Sequence, residues 1–109
     1  MVTLGFNLLV ILIKLSMLEN SLTKTATVNN ALGLHARPAA MIANLALKAR
    51  AGIWLCKDEE QVDASSIIDI LSLACLKGTE ICLKIENPDD RNILNEIIHL
   101  FENDFGEKL

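Results

Sequence analysis

"LTKTATVNNALGLHARPAAMIANLALKARAGIWLCK", residues 22 to 57, changes its hydrophobic period twice, and the fold is set by where it changes. Its first seven residues, "LTKTATV", alternate apolar and polar side chains and are rich in β-branched types, which predicts a half-buried strand. "NNALG" breaks the alternation. Ala39, Ile42, Ala43, Leu45, Ala46 and Ala49 then recur at helical spacing. Pro38 suits a first helical turn, where its missing N–H is not needed, and Gly52 suits a stop, so the spacing predicts a helix from Ala36 to Arg50. Alternation resumes in "GIWLCK".

Further along, "GIWLCK" and "QVDAS" flank the polar "DEE" and read as a hairpin of two short strands. "SSIIDILSLA" predicts a short second helix with Ile67, Ile70, Leu71 and Ala74 on one face. Ser65 or Ser66 is its N-cap, whose hydroxyl accepts an orphan backbone N–H. Lys77 and Gly78 make a turn, and "TEICLKIE" alternates as a fourth strand. "NPDD" opens a last helix with acidic residues at its positive end, and Leu94, Ile97, Ile98, Phe101 and Phe105 give it one apolar stripe. The order is β-α-β-β-α-β-α. Short connections favour antiparallel neighbours, and helices with a single stripe each must share one side of the sheet. The expected architecture is an α/β fold of the α+β kind: an open-faced two-layer sandwich, with a four-stranded antiparallel sheet covered on one face by three helices.

With 109 residues and 4% aromatics, the chain has room for one domain around one aliphatic core. Ten Lys and Arg against fourteen Asp and Glu, with no long basic run, argue against a nucleic-acid partner. Cys56, Cys75 and Cys82 form no C-x-x-C pair, and an odd number of cysteines fits reduced thiols in a cytoplasmic protein better than a disulfide framework or a zinc site. All three are expected to pack in apolar surroundings.

Residues 1 to 20 differ in composition from the rest of the chain, and the domain is expected to occupy residues 21 to 109. "VTLGFNLLVILI" is an apolar run of twelve residues ending at Lys14. A bilayer span takes about 20 residues. The run also lacks the basic leader and small-residue cleavage site of a secretory signal. It reads as a misassigned start with Met17 as the initiator, as a disordered or surface-docked extension, or as a membrane or partner anchor.

The chemistry concentrates in "GLHARPAA", residues 33 to 40. His35 and Arg37 stand at the start of the first helix, an end that already carries partial positive charge from peptide dipoles and free N–H groups. Two more cationic groups are locally unfavourable there unless an anion is present, so the stretch reads as a seat for a negative ligand. A histidine can accept and surrender a phosphoryl group near neutral pH, backbone N–H groups can receive phosphate oxygens, and a guanidinium offers a planar fork to the same anion. The plainer alternative is a solvated cap histidine beside a surface arginine. A metal site lacks further ligands at suitable spacing, and a serine hydrolase lacks a nucleophile-elbow motif. His99 reads as a solvated surface residue of the last helix.

"LGLHARPAA" resembles the phosphohistidine signature of the HPr family, the small histidine phosphocarriers of the bacterial phosphoenolpyruvate-dependent sugar phosphotransferase system. "VDASSIIDILSLACLKGTEICLKI" resembles that family's second signature, around a regulatory serine, and the likeness runs from Leu22 to Glu107. It implies a cytoplasmic, monomeric carrier that is not an enzyme and needs no cofactor. His35 matches the residue that takes phosphate on Nδ1 from phosphorylated Enzyme I and passes it to IIA components of sugar permeases. Arg37 matches the arginine that steadies the phosphoryl group, and Ser66 the target of a dedicated serine kinase and phosphorylase. Ala36, Ala40, Ile67, Ile68 and Leu71 match the docking patch. The residues themselves leave a core role open for Ile67 and Leu71, and a capping role for Ser66; Ile70 is expected in the core and Ile68 outside it. Asp69 stands where relatives carry Gly or Lys, and Ser65 replaces a common Lys, which bears on partner choice and on kinase recognition. The competing functions are a carrier of the nitrogen-related branch, a donor to a dihydroxyacetone kinase, and a regulatory adaptor that docks through Ser66 or the patch with His35 incidental.

Overall fold

A computed structural model describes residues 7 to 15 and 22 to 108. Helix α1 covers residues 7 to 15. Strand β1 (Thr23–Thr27), helix α2 (Ala36–Ala46), the hairpin of β2 (Ile53–Lys57) and β3 (Glu60–Asp63), helix α3 (Ile67–Ser72), strand β4 (Glu80–Ile85) and helix α4 (Arg91–Glu102) come after it in the expected order. Single 3₁₀ turns at Pro88–Asp90 and Asp104–Gly106 flank α4. The strands pair antiparallel in the order β1-β4-β2-β3, which puts β4 and β2 at the centre of the sheet.

Alternation in the strands decides which side is dry. Ile53 and Leu55 of β2 and Ile81, Leu83 and Ile85 of β4 are buried, and they pack with Ala39, Ile42, Ala43 and Ala46 of α2, Ile70 of α3, and Leu94, Ile97 and Phe101 of α4. Each of the Ile, Leu and Phe side chains among them contributes roughly 1.5–3 kcal/mol by leaving water. The register places Thr25, Cys82, Cys56 and Gln61 side by side on the other face of the sheet, away from that core. Cys75 is buried, as the sequence suggests, but Cys56 and Cys82 are only half-buried on that open face, because they alternate with Leu55, Ile81 and Leu83 rather than join them.

Helix α2 stops at Ala46, four residues before the predicted Arg50. The Lys48 and Ala49 N–H groups fall back to acceptors three residues earlier, and the Arg50 and Ala51 N–H groups donate to the two carboxylate oxygens of Asp90 at 2.8 and 3.0 Å. Asp90 is buried and so needs those donors, which ends the helix from outside. Its expected role on α4 is taken up locally by Asn87, whose side chain accepts from the Asp89 N–H. Phe105 lies beyond the end of α4, yet its ring meets Phe101 edge-on at 4.9 Å, so the stripe continues in space.

Helix α3 also ends early, at Ser72, and Ala74 adopts a left-handed φ of 51° outside it. The expected face of Ile67, Ile70, Leu71 and Ala74 therefore does not pack as a unit. Ile70 alone of them is buried, Ile67 and Leu71 are each 39% exposed, and Ile68 is 78% exposed. A six-residue helix lying on a sheet can bury little more than one position per turn, and Leu73, just past its end, supplies the second. His99 is exposed on α4, as expected. Leu8, Leu9, Ile11, Leu12, Ile13 and Leu15 of α1 are each at least half exposed. Among the described residues no helix is long and apolar enough to cross a membrane. Met17 and the expected boundary at residues 20 and 21 lie outside the described residues.

Candidate functional site

The loop from β1 to α2 is shaped by Gly33 and Asn30. Gly33 has a φ of +66°, and a Cβ there would lie 2.3 Å from the Cys75 carbonyl oxygen. Only glycine fits both the left-handed backbone and that approach. The closeness lets the Leu34 N–H donate to the same carbonyl at 2.9 Å, and it leaves His35 as the N-cap of α2 with an extended backbone. Asn30 is fully buried, and its Nδ2 donates to the Gly33 carbonyl at 2.7 Å and to Glu107 Oε1 at 2.8 Å.

Glu107 arrives from the far end of the chain. Asp104, Phe105 and Gly106 all have positive φ, a tight left-handed reversal anchored by the buried Phe105 ring. This reversal brings the Glu107 carboxylate to His35, with Oε2 at 2.8 Å from Nε2, and to Arg37, with Oε2 at 3.0 Å from Nη1. Arg37 Nη1 also donates to the Phe105 carbonyl at 2.8 Å. His35 is one-third exposed and Glu107 about one-sixth, so the cluster lies at the rim of the protein. The negative group that the start of α2 demands is present within the chain.

The Asn30 amide most of all, helped by hydrogen bonds from His35 and Arg37, holds the Glu107 carboxyl below the usual carboxylate range, and partial burial opposes them. Ionised Glu107 can only accept, so the His35 ring nitrogen facing it, Nε2, carries a proton. In the neutral ring Nδ1 is then the nitrogen with a free lone pair. The Ala36 and Arg37 N–H groups occupy first-turn positions without intrahelical acceptors. Pro38 has no N–H to add.

The structure brings His35 and Arg37 together, as the sequence suggests, and adds Asn30 and Glu107, which sequence reasoning missed. Asn30 looks like one more turn residue in "NNALG", and Glu107 stands 72 positions from His35 with no motif around it. Ala36 is exposed and Ala40 half-buried on α2, which packs against α3 and its exposed Ile67, Ile68 and Leu71. Ser66, not Ser65, caps α3, its hydroxyl accepting from the Asp69 N–H at 3.2 Å. Ser65 is instead tied to Asp63, by its hydroxyl at 2.6 Å and its N–H at 2.8 Å. Among the described residues no group of three His, Cys, Asp or Glu is arranged to hold a metal ion.

The role of Glu107 gives a first prediction. Glu107→Gln replaces an oxygen that accepts from two donors by an amide, which either opposes both donors or turns and leaves Asn30 facing an N–H. Where the amide donates to Nε2, the proton moves to Nδ1. Nitrogen NMR should then report a shift of the His35 tautomer toward Nδ1–H. The pH dependence is set by the lowered carboxyl: its stabilising effect is full above the unfolded carboxyl value of 4.5 and is lost as pH falls through the lower folded value. Thermal melts of the wild type and Glu107→Gln should differ at about pH 5 and converge in stronger acid. A gap unchanged down to about pH 2 would show that the carboxylate contributes nothing.

The chain is similar to known proteins along most of its length. The family described as "PTS HPr component phosphorylation site" matches residues 22 to 103. The phosphocarrier protein HPr of Treponema pallidum is 40% identical over 85 residues, which are 78% of this chain and 97% of that protein. The phosphocarrier protein HPr of Xylella fastidiosa is 36% identical over 91 residues, covering 84% of this chain and 98% of its own. The crystal structure of an HPr from Thermoanaerobacter tengcongensis superposes with a TM-score of 0.75 at 38% identity, covering 80% of this chain and 98% of that one. A β-α-β-β-α-β-α domain with a histidine and an arginine at the head of its first domain helix, matched along most of its length, belongs to the HPr family, the phosphoryl carriers of the phosphotransferase system.

Proposed function

We propose that His35 is the phosphorylated residue, that it accepts the phosphoryl group on Nδ1 from phosphorylated Enzyme I, and that it passes the group to an acceptor histidine of a IIA component. The observation that carries this reading is the 2.8 Å contact between Nε2 and Glu107, which occupies one ring nitrogen and directs reactivity to the other. In the forward step a new N–P bond forms at Nδ1 while the bond from phosphorus to the Enzyme I donor breaks. Positive charge develops on the imidazole, and the Glu107 carboxylate stabilises it through the Nε2 proton. Arg37 is positioned to exchange its present acceptors, the Phe105 carbonyl and Glu107, for phosphoryl oxygens. The return of the proton-paired ring to neutrality favours departure of the group to the next histidine.

Ala36, Ala40, Ile67, Ile68 and Leu71 form the docking face for Enzyme I and IIA, an apolar surface whose exposure is otherwise unfavourable for a monomer. The domain is residues 21 to 109, with residues 1 to 20 an appendage outside the matched family region. Three free thiols support a reducing, cytoplasmic setting. Incubating the full chain with Enzyme I and labelled phosphoenolpyruvate tests the reading: an acid-labile, base-stable phosphate is expected, and absence of label would leave an adaptor role instead.

Ser66 carries the regulatory half of the proposal. A phosphate at the start of α3 is tolerated by the fold, because the hydroxyl already sits at a helix N-cap where anions are favoured. Beside Ile67 and Ile68, however, a doubly charged group resists burial against a partner. Ser66→Asp is expected to keep the melting temperature within a few degrees and to slow phosphate uptake by about tenfold. Equal rates for wild type, Ser66→Asp and Ser66→Ala would reduce Ser66 to a helix cap.

A further inference from the structure

Cys56 and Cys82 are direct cross-strand partners at the centre of the sheet, on the face opposite the helix-packed core. The Glu86 N–H donates to the Gly52 carbonyl, so Gly52 and Glu86 are a hydrogen-bonded pair. Counting two residues at a time along the ladder makes Trp54 with Lys84, and then Cys56 with Cys82, pairs of the same kind. Their Cα atoms are therefore about 5.5 Å apart, inside the roughly 4.4–6.8 Å span that a disulfide bridges. Both side chains are half-exposed above a shallow hollow that also touches Thr25, Thr27, Asp58 and Glu80, so a small solute can reach them. Cys75, buried among the core side chains, cannot take part.

We propose that Cys56 and Cys82 form a reversible intramolecular disulfide when the protein meets peroxide, making the open face of the sheet an oxidation site separate from the phosphoryl-transfer cluster. In the first step one thiolate attacks a peroxide oxygen, the O–O bond breaks, and, once the departing hydroxide has taken up the thiol's proton, a sulfenic acid and water result. The second thiol then displaces water from the sulfenic acid and forms the S–S bond, so that two thiols and one hydrogen peroxide yield a disulfide and two waters. Burial first, and the neighbouring Cys56 second, push the Cys82 thiol up, so the step in which Cys82 is the nucleophile is slow at neutral pH and the reduced pair persists under ordinary conditions. Side chains of a hydrogen-bonded pair stand farther apart than those of the alternate kind, so the bridge must draw them together, and a bridge under strain is readily reduced. The closed ring runs from Cys56 to Cys82 and holds both ends of the segment bearing α3 and Ser66.

The test treats the full chain with hydrogen peroxide, then alkylates the remaining thiols under denaturing conditions. The expected product has lost two hydrogens, shows one alkylatable thiol where the three cysteines gave three, and contains a linked Cys56–Cys82 peptide. Dithiothreitol should restore all three. Cys75→Ser should still form the bridge, whereas Cys56→Ser and Cys82→Ser should each fail to lose the two hydrogens. Persistence of three alkylatable thiols in the wild type, a linkage that includes Cys75, or bridges only between chains would each overturn the proposal. The mapping on the wild-type chain decides the matter even where a variant folds poorly.

Discussion

His35→Ala is expected to take up no phosphate at all from Enzyme I while melting within a few degrees of the wild type. The loss is complete because no second nucleophile stands in the cluster: a guanidinium such as that of Arg37 has no lone pair to offer, Asn30 is buried with its amide already donating twice, and Glu107 is a carboxylate held by three donors. The melt is nearly unchanged because the imidazole is one-third exposed, lies outside the core and makes no side-chain cap bond to α2. Glu107 keeps Asn30 and Arg37 after the ring is gone. Stoichiometric labelling of His35→Ala would move the acceptor elsewhere, and a large drop in melting temperature would mean that the cluster is primarily structural.

Gly33→Ala is expected to be the most destabilising small substitution in the domain. A left-handed non-glycine residue costs about 1–3 kcal/mol. The added methyl also meets a backbone carbonyl at 2.3 Å, which cannot rotate away as a flexible side chain can, so the loop must move off Cys75 and give up the Leu34 hydrogen bond. For a domain of this size about 2 kcal/mol corresponds to a fall in melting temperature of roughly 8–16 °C. Because Gly33 also holds the carbonyl that Asn30 binds, phosphate uptake should fall together with stability, and the His35 ring signals should shift in the fraction that remains folded. A melting temperature within two or three degrees of the wild type would show that the loop relaxes at no cost. Gly78 is the control: its φ is positive too, but a Cβ there meets nothing within 4 Å, so Gly78→Ala carries backbone strain without the collision and should be the milder change.

The family likeness rests on short-range signals, and those are the ones a sequence displays. Alternation in "LTKTATV" and "TEICLKIE" and helical spacing after Pro38 placed the strands and the first domain helix, since period-2 and period-3.6 burial are written residue by residue. Ile70 in the core and Ile68 outside it reflect the same periodicity. Ends were harder to place, because what stops α2 is Asp90 reaching the Arg50 and Ala51 amides from 40 and 39 positions away, and no local pattern announces such a capture. The cysteines misled for a related reason: Cys is apolar enough to suit a core, and only the strand register decided that Cys56 and Cys82 face outward.

At the candidate site the division is sharpest. By itself the sequence determined that His35 and Arg37 stand together at a helix start, an end whose partial positive charge favours an anion, and that the neighbouring residues resemble a phosphohistidine signature. Only the tertiary structure decided that Glu107 provides the anion, which His35 nitrogen it covers and which nitrogen it leaves free. The physical reason is distance along the chain. Charge and dipole at a helix terminus act within one turn and are local properties of a few residues. A hydrogen bond closing 72 positions exists only after the sheet has paired, α4 has packed through Leu94, Ile97 and Phe101, and the left-handed turn at Phe105 has brought the chain back to where it began.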